Sequence, residues 1–237
     1  MDPESLLDPG VLEALRGLMT KDEAERQRRF RQPRGRQEAL VTRGLVRTCL
    51  SQYTGVDPQD WRFETGRHGR PEIASPAAWR HLRFNLSHTR GRVVCLVAWR
   101  IDVGVDVEAI DRGGRLLDIA RRYFSISEAD ALLGLPASER LSRFFDYWTL
   151  KESYIKARGM GLAIPLGRFS FSIDSGTRVA IRFAPELEDE PEAWQFRLLD
   201  LPPRHRVAVA LRAGRGTRMR LRIEAAAPLL GGEPGAG

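Results

Sequence analysis

Cysteine is scarce in this chain of 237 residues, with Cys49 and Cys95 as the only two. Two cysteines are too few for a disulfide framework, and they do not form the Cys-x-x-Cys pair that a zinc or redox site needs. Cys95 falls in an apolar run and reads as a core residue, so the expected setting is reducing and cytoplasmic. Long apolar runs are missing too. The longest, Val93–Trp99, is seven residues, against the roughly 20 that span a bilayer as a helix. The N-terminus, Met1-Asp2-Pro3-Glu4-Ser5, is acidic where a secretory signal is basic. No internal repeat is visible. Lysine is also nearly absent. Of 38 basic side chains only Lys21, Lys151 and Lys156 are lysines, and the others are arginines.

What is present is an ordinary globular composition, 42% hydrophobic and 29% charged. That suffices for one large domain or two small ones. The net charge of +7 attracts polyanions: nucleic acid, nucleotide phosphates or an acidic protein. Charge alone does not choose among them.

The stretch from Phe144 to Leu162 organises the chain. Phe144, Phe145, Trp148, Tyr154 and Ile155 recur at helical spacing without a proline. Gly159 and Gly161 supply the stop. Trp148, Glu152 and Lys156 stand one above the other on one stripe of that helix. Glu followed by Lys at i+4 is the ordinary surface ion pair of a helix. However, a surface pair accepts arginine, and two of the three lysines fall here. A site that places a compact point charge on a phosphate oxygen prefers lysine.

Taken in order, residues 11–30 and 36–52 read as helices. Arg26, Arg28, Arg29, Arg31, Arg34 and Arg36 form a basic stretch. It serves either as a solvated face or, through one or two members, as a phosphate contact. Residues 61–64 suggest a short strand, followed by the glycine-rich basic loop Gly66-Arg67-His68-Gly69-Arg70, where backbone can approach an anion closely. Residues 83–86 suggest a strand end carrying Ser87, His88 and Thr89. The run 93–99 does not alternate and reads as a central strand buried on both sides. Ile101–Glu108 alternates, with valines on one face and Asp102, Asp106 and Glu108 on the other. Asp106 and Glu108 repel each other there, and a divalent cation such as magnesium would offset that repulsion. Gly113-Gly114 opens a helix over 116–123, and Ser127 with Glu128 suggests a helix N-cap. Strands are expected over 169–173, 178–183, 194–199, 206–211 and 218–223, with a disordered tail at 225–237.

Gly69-Arg70-Pro71, Phe84-Asn85-Leu86-Ser87-His88-Thr89, Gly104-Val105-Asp106-Val107-Glu108 and Trp148-Thr149-Leu150-Lys151-Glu152-Ser153-Tyr154-Ile155-Lys156 occur in that order. Together they closely resemble the 4′-phosphopantetheinyl transferase superfamily in its long, Sfp-type form, over about residues 20–212. The resemblance implies an α+β fold of two similar α/β halves related by pseudo-twofold symmetry, with the active site in the cleft between them. The halves would be 1–110 and 111–224. It implies transfer of the phosphopantetheine arm of coenzyme A to a serine of an apo acyl or peptidyl carrier protein, with release of adenosine 3′,5′-bisphosphate. Such carriers serve fatty acid, polyketide or nonribosomal peptide synthesis. Asp106, Glu108 and Glu152 would bind magnesium, and Lys156 and His88 would hold diphosphate oxygens. Arg67, His68, Gly69, Arg70, Asn85 and Ser87 would line the coenzyme A site, and Arg26 would meet its 3′-phosphate. Glu152 is the candidate base. A monomer is expected, with no nucleic acid or membrane partner. The alternative is an arginine-rich nucleic-acid-binding protein, although no helix-turn-helix, zinc or single-strand-binding signature supports it.

Overall fold

The computed structural model describes residues 2–4, 6, 8–66, 69–111, 114–174 and 178–226. The tail from 227 onward, Arg67, His68 and Gly113 lie outside them. The chain opens with α1 (Pro9–Gly17), α2 (Lys21–Arg28) and the 22-residue α3 (Pro33–Thr54). One helix was expected over 11–30, but Thr20 divides it. The Thr20 hydroxyl accepts from the Glu23 amide at 3.3 Å, and the Glu23 carboxylate accepts from the Thr20 amide at 2.9 Å. This reciprocal cap satisfies two otherwise orphaned donors and restarts the helix.

Two hairpins follow: β1 (Arg62–Thr65) with β2 (Pro71–Ser75), and β3 (Leu82–Thr89) with β4 (Arg92–Trp99). Next come β5 (Asp102–Ala109), α4 (Leu116–Tyr123), α5 (Ile126–Gly134) and the 22-residue α6 (Ala137–Arg158). The chain continues through β6 (Phe169–Ile173), β7 (Val179–Phe183), β8 (Trp194–Leu201) and β9 (His205–Arg212). The result is a mixed α/β chain with small sheets. β6 pairs with β7, and β5, β9 and β8 form an antiparallel sheet in that order. β5, counted with the N-terminal half in the sequence reading, is paired with β9 along its whole length, from Asp102 opposite Arg212 to Ala109 opposite His205.

Three local expectations are corrected. β4 is not a doubly buried central strand: among the described residues it pairs with β3 alone, and of its eight residues only Val93 is fully buried. The cap of α5 is Ser125 rather than Ser127. The Ser125 hydroxyl accepts from the Glu128 amide at 3.3 Å, and the Glu128 carboxylate accepts from the Ser125 amide at 3.0 Å. Residues 218–223 are not a strand. There the Met219 amide donates to the Gln195 side chain, and Met219 and Leu221 pack against the valines of β5 and β9.

The strand that matters most, β5, is held from two directions. The Asn85 carboxamide oxygen accepts from the Val105 amide at 2.9 Å, and the Ser87 hydroxyl accepts from the Val107 amide at 3.2 Å. The partners advance together, so β3 and β5 run parallel, joined by side chains. From the other side, α6 lies on Gly104. A Cβ added there would stand 2.0 Å from the Ser153 carbonyl oxygen and 2.5 Å from the Ala157 amide. Only glycine allows this approach, and it brings the acidic face of β5 within reach of α6. Gly104→Ala should therefore destabilise the chain by about 1–3 kcal/mol or more and also lower activity. A thermal melt that matched the wild type would show that helix and strand do not meet this closely.

Candidate active site

From Phe144 to Ala157 every residue of α6 is buried except Trp148, Glu152 and Lys156. The stripe seen in the sequence is thus the one partly open seam of this stretch of α6. Trp148 is anchored by stacking on Phe144, with ring centroids 5.9 Å apart. Lys156 does not pair with Glu152. Its ammonium reaches across to β3 and β5, 2.7 Å from Asp106 Oδ1, 2.8 Å from the Ser87 hydroxyl and 3.2 Å from the Val105 carbonyl. The Ser87 hydroxyl in turn donates to Asp106 Oδ1 at 2.9 Å. Asp106 Oδ2 is left buried without a hydrogen-bond partner. Glu152 is pushed up in pKa, first by burial and then by the charges of Asp106 and Glu108, which outweigh the opposing pull of Lys156.

The parallel strands β3 and β5 end at a cleft of about 350 Å³ walled by Glu38, His88, Thr89, Arg90, Glu108 and Asp111. Strand alternation turns Ser87 and Thr89 towards β5 and His88 the other way. Thr89 donates to Glu108 at 3.4 Å. His88 meets α3, where its Nδ1 lies 2.7 Å from Glu38 Oε1. Arg90 and Asp111 form an ion pair on the wall.

The structure therefore gathers Ser87, Asp106, Lys156, Glu152 and Glu108, while His88 turns to Glu38 at the end of β3, on the cleft that Glu108 also walls. Asn85 is buried and committed to the Val105 amide. Arg70 turns inward at the C-terminus of α6, donating to the Ala157 carbonyl at 3.1 Å and lying 3.7 Å from Asp102, with Nη2 buried and unpartnered. Gly69 holds a left-handed turn with φ 83°. Arg26 is exposed on α2 and makes no ion pair among the described residues. Arg67 and His68 lie outside the described residues.

Sequence reasoning missed Glu38, which no local pattern ties to His88 fifty residues on. It also missed Glu128, which lies 2.7 Å from the ammonium of Lys151, both side chains having no solvent exposure. The rarity of lysine was a signal for Lys151 as much as for Lys156. Burial pulls the Lys151 pKa down to about 8, against the opposing pull of Glu128.

Among the described residues, no three His, Cys, Asp or Glu side chains close around one point as a finished metal cage. The donor set nevertheless suits a hard cation. The orphaned Asp106 Oδ2 and the like-charged Glu152 and Glu108 are oxygen donors whose mutual repulsion a divalent ion would relieve. Carboxylates and an ammonium around one seam, with an imidazole on the adjoining cleft, are the equipment of an enzyme that works on phosphate groups.

Comparison with known proteins is specific. Residues 102–211 match the model of the 4′-phosphopantetheinyl transferase superfamily, and residues 10–100 match that of the 4′-phosphopantetheinyl transferase N-terminal region. The chain is 31% identical over 198 residues to the 4′-phosphopantetheinyl transferase Sfp of Bacillus subtilis, covering 83% of this chain and 84% of that one. It is 35% identical over 152 residues to a 4′-phosphopantetheinyl transferase of Nostoc sp., spanning 64% of each chain. The solved holo-(acyl-carrier-protein) synthase of Bacillus anthracis, in complex with CoA (3′,5′-ADP), covers 47% of this chain and 95% of its own, at 18% identity and a TM-score of 0.40. The chain belongs to the 4′-phosphopantetheinyl transferase superfamily, in its Sfp-type form. No helix among the described residues is long and apolar enough to cross a membrane.

Proposed function

We propose that the seam between α6 and the β3–β5 pair transfers the phosphopantetheine arm of coenzyme A to a carrier-protein serine. The observation that carries this reading is the placement of Lys156, whose ammonium reaches from the half-buried stripe of α6 to Asp106 and Ser87. The carrier serine oxygen attacks the β-phosphorus of the diphosphate. Its proton passes to Glu152, the bond to the bridging oxygen breaks, and adenosine 3′,5′-bisphosphate leaves. A carboxylate whose pKa is raised by burial is suited to accept that proton. Lys156 and His88 hold diphosphate oxygens as charge moves onto the leaving group. Asp106, Glu108 and Glu152 would hold magnesium, which would neutralise phosphate charge. Arg26 would meet the 3′-phosphate. The loop of Arg67, His68, Gly69 and Arg70, with Asn85 and Ser87, would line the rest of the coenzyme A site.

The two 22-residue helices, α3 and α6, support the reading of two pseudo-twofold-related halves meeting at this cleft. The proposed setting is a cytoplasmic monomer. The nucleic-acid alternative weakens because arginines such as Arg47, Arg158 and Arg206 serve internal ion pairs.

The test is incubation with coenzyme A, magnesium and several apo carrier proteins, read by intact mass. One carrier should gain a phosphopantetheine arm, and excess chelator should abolish the gain. A mass gain that survived complete chelation would remove the metal from the reading. No gain on any carrier, with salt-sensitive binding to DNA or RNA instead, would favour the nucleic-acid alternative.

A further inference from the structure

We propose that Glu38 is a positioning residue for His88, fixing which imidazole nitrogen faces the cleft. This rests on the transferase reading of the site and adds a residue to it. His88 stands at the next-to-last position of β3, and strand alternation sends its side chain away from Ser87, Thr89 and the β5 carboxylates. Its side chain is 55% exposed, so β3 alone leaves the ring loosely held. Glu38 supplies the missing constraint from α3. It lies one turn before the buried Val41 and two residues before the buried Leu40, so the core fixes the helix position from which it reaches.

With Glu38 Oε1 2.7 Å from Nδ1, that nitrogen is the donor. Nε2, which has no hydrogen bond among the described residues, is left for the cleft. A carboxylate that holds one ring nitrogen sets the role of the other. The other charged groups on the cleft wall are Arg90, Asp111 and Glu108. Arg90 is engaged with Asp111, and Thr89 donates to Glu108, so Glu38 is the carboxylate seen on His88.

A carboxylate in a phosphate cleft makes the test sharp, because the two roles of Glu38 have opposite signs. An acidic group that merely faces an anionic substrate repels it, and its removal lowers the KM for coenzyme A. A positioning residue does the reverse. Glu38→Ala should raise the KM for coenzyme A about tenfold, the size of one charge-assisted hydrogen bond, with a smaller change in kcat. Glu38→Gln keeps an acceptor at the same reach and should recover most of that loss. Added to His88→Ala, Glu38→Ala should cost little more, since the pair acts as one unit.

A readout independent of activity comes from ¹⁵N-histidine NMR of the substrate-free protein. The His88 signal, assigned by its loss in His88→Ala, should show Nδ1 protonated in the wild type and tautomer exchange in Glu38→Ala. A KM that falls or stays level in Glu38→Ala, or an unchanged His88 signal, overturns the assignment while wild-type transfer stands. Absence of transfer by the wild type would instead count against the transferase reading, with the NMR result still deciding the pairing.

Discussion

Lys156→Arg is expected to lower phosphopantetheine transfer by about 100-fold or more, while costing the fold no more than about 1 kcal/mol. The reason is shape. The Lys156 ammonium meets three converging acceptors within 3.2 Å, on Asp106, Ser87 and the Val105 carbonyl. A compact ammonium can serve three acceptors from one point, whereas a planar guanidinium on a longer arm cannot. Because the Lys156 side chain is one-quarter exposed, the longer arm has room to fold over with its charge still beside Asp106, and the fold survives. Glu152→Gln should show the same loss of transfer with the opposite change in stability. Burial and the neighbouring Asp106 raise the Glu152 pKa above its ordinary 4.5. The folded chain therefore holds this proton more tightly than the unfolded chain, and the charged form weakens the fold at neutral pH. That cost is absent below the ordinary value and is present in full once the pH passes the raised one. Glutamine removes it, so the inactive variant should melt higher than the wild type at pH 7. Wild-type transfer rates in both variants would reduce the stripe to surface chemistry.

The legible part of this molecule was the part written in local pattern. The α6 stripe and the alternation of β5 have periods of 3.6 and 2, which sequence displays directly, and the Gly159 stop is marked by residue type. The pairing of β5 with β9 does not show. It joins residues about a hundred positions apart, and nothing in Ile101–Glu108 names its partner. Residues 218–223 alternate well enough to read as a strand, but among the described residues no neighbouring strand takes up their backbone groups, so pattern without a partner misled. Ser127 reads as a cap because acidic residues follow it in a first turn, whereas the reciprocal cap forms earlier, between Ser125 and Glu128. The site shows the same division. Asp106, Glu152 and Lys156 stood out by type and spacing. Glu38 and Glu128 act through space from other helices and looked like ordinary surface carboxylates.

Glu128 is where that appearance was most misleading, and Lys151→Met should reveal it with a loss of about 3–5 kcal/mol in stability. Neither side chain of the pair has any solvent exposure. The Lys151 ammonium is also 2.8 Å from the Leu166 carbonyl and 2.7 Å from the Phe169 carbonyl, and it lies 4.3 Å from the Phe169 ring centre. Glu128 accepts from the Phe171 amide at 2.9 Å as well as capping α5. The pair thus ties α5, α6 and β6 together, and methionine would leave a buried carboxylate without its counter-ion. The double variant Glu128→Gln, Lys151→Met should recover much of the loss, since glutamine can still accept from Phe171 and no charge remains to be desolvated. The pH dependence has a definite sign. Burial lowers the Lys151 pKa to about 8 from its ordinary 10.5, so between those values the unfolded chain binds the proton that the folded chain releases. Wild-type stability, measured against the double variant so that other groups cancel, should therefore rise with pH from about 8 to 10.5. Lys151 stands next to Glu152 in sequence but points into the core. Lys151→Met, assayed well below its melting temperature, should thus transfer at nearly the wild-type rate, the reverse of Lys156→Arg. A Lys151→Met protein that melts like the wild type would show that the buried pair does not hold these elements together.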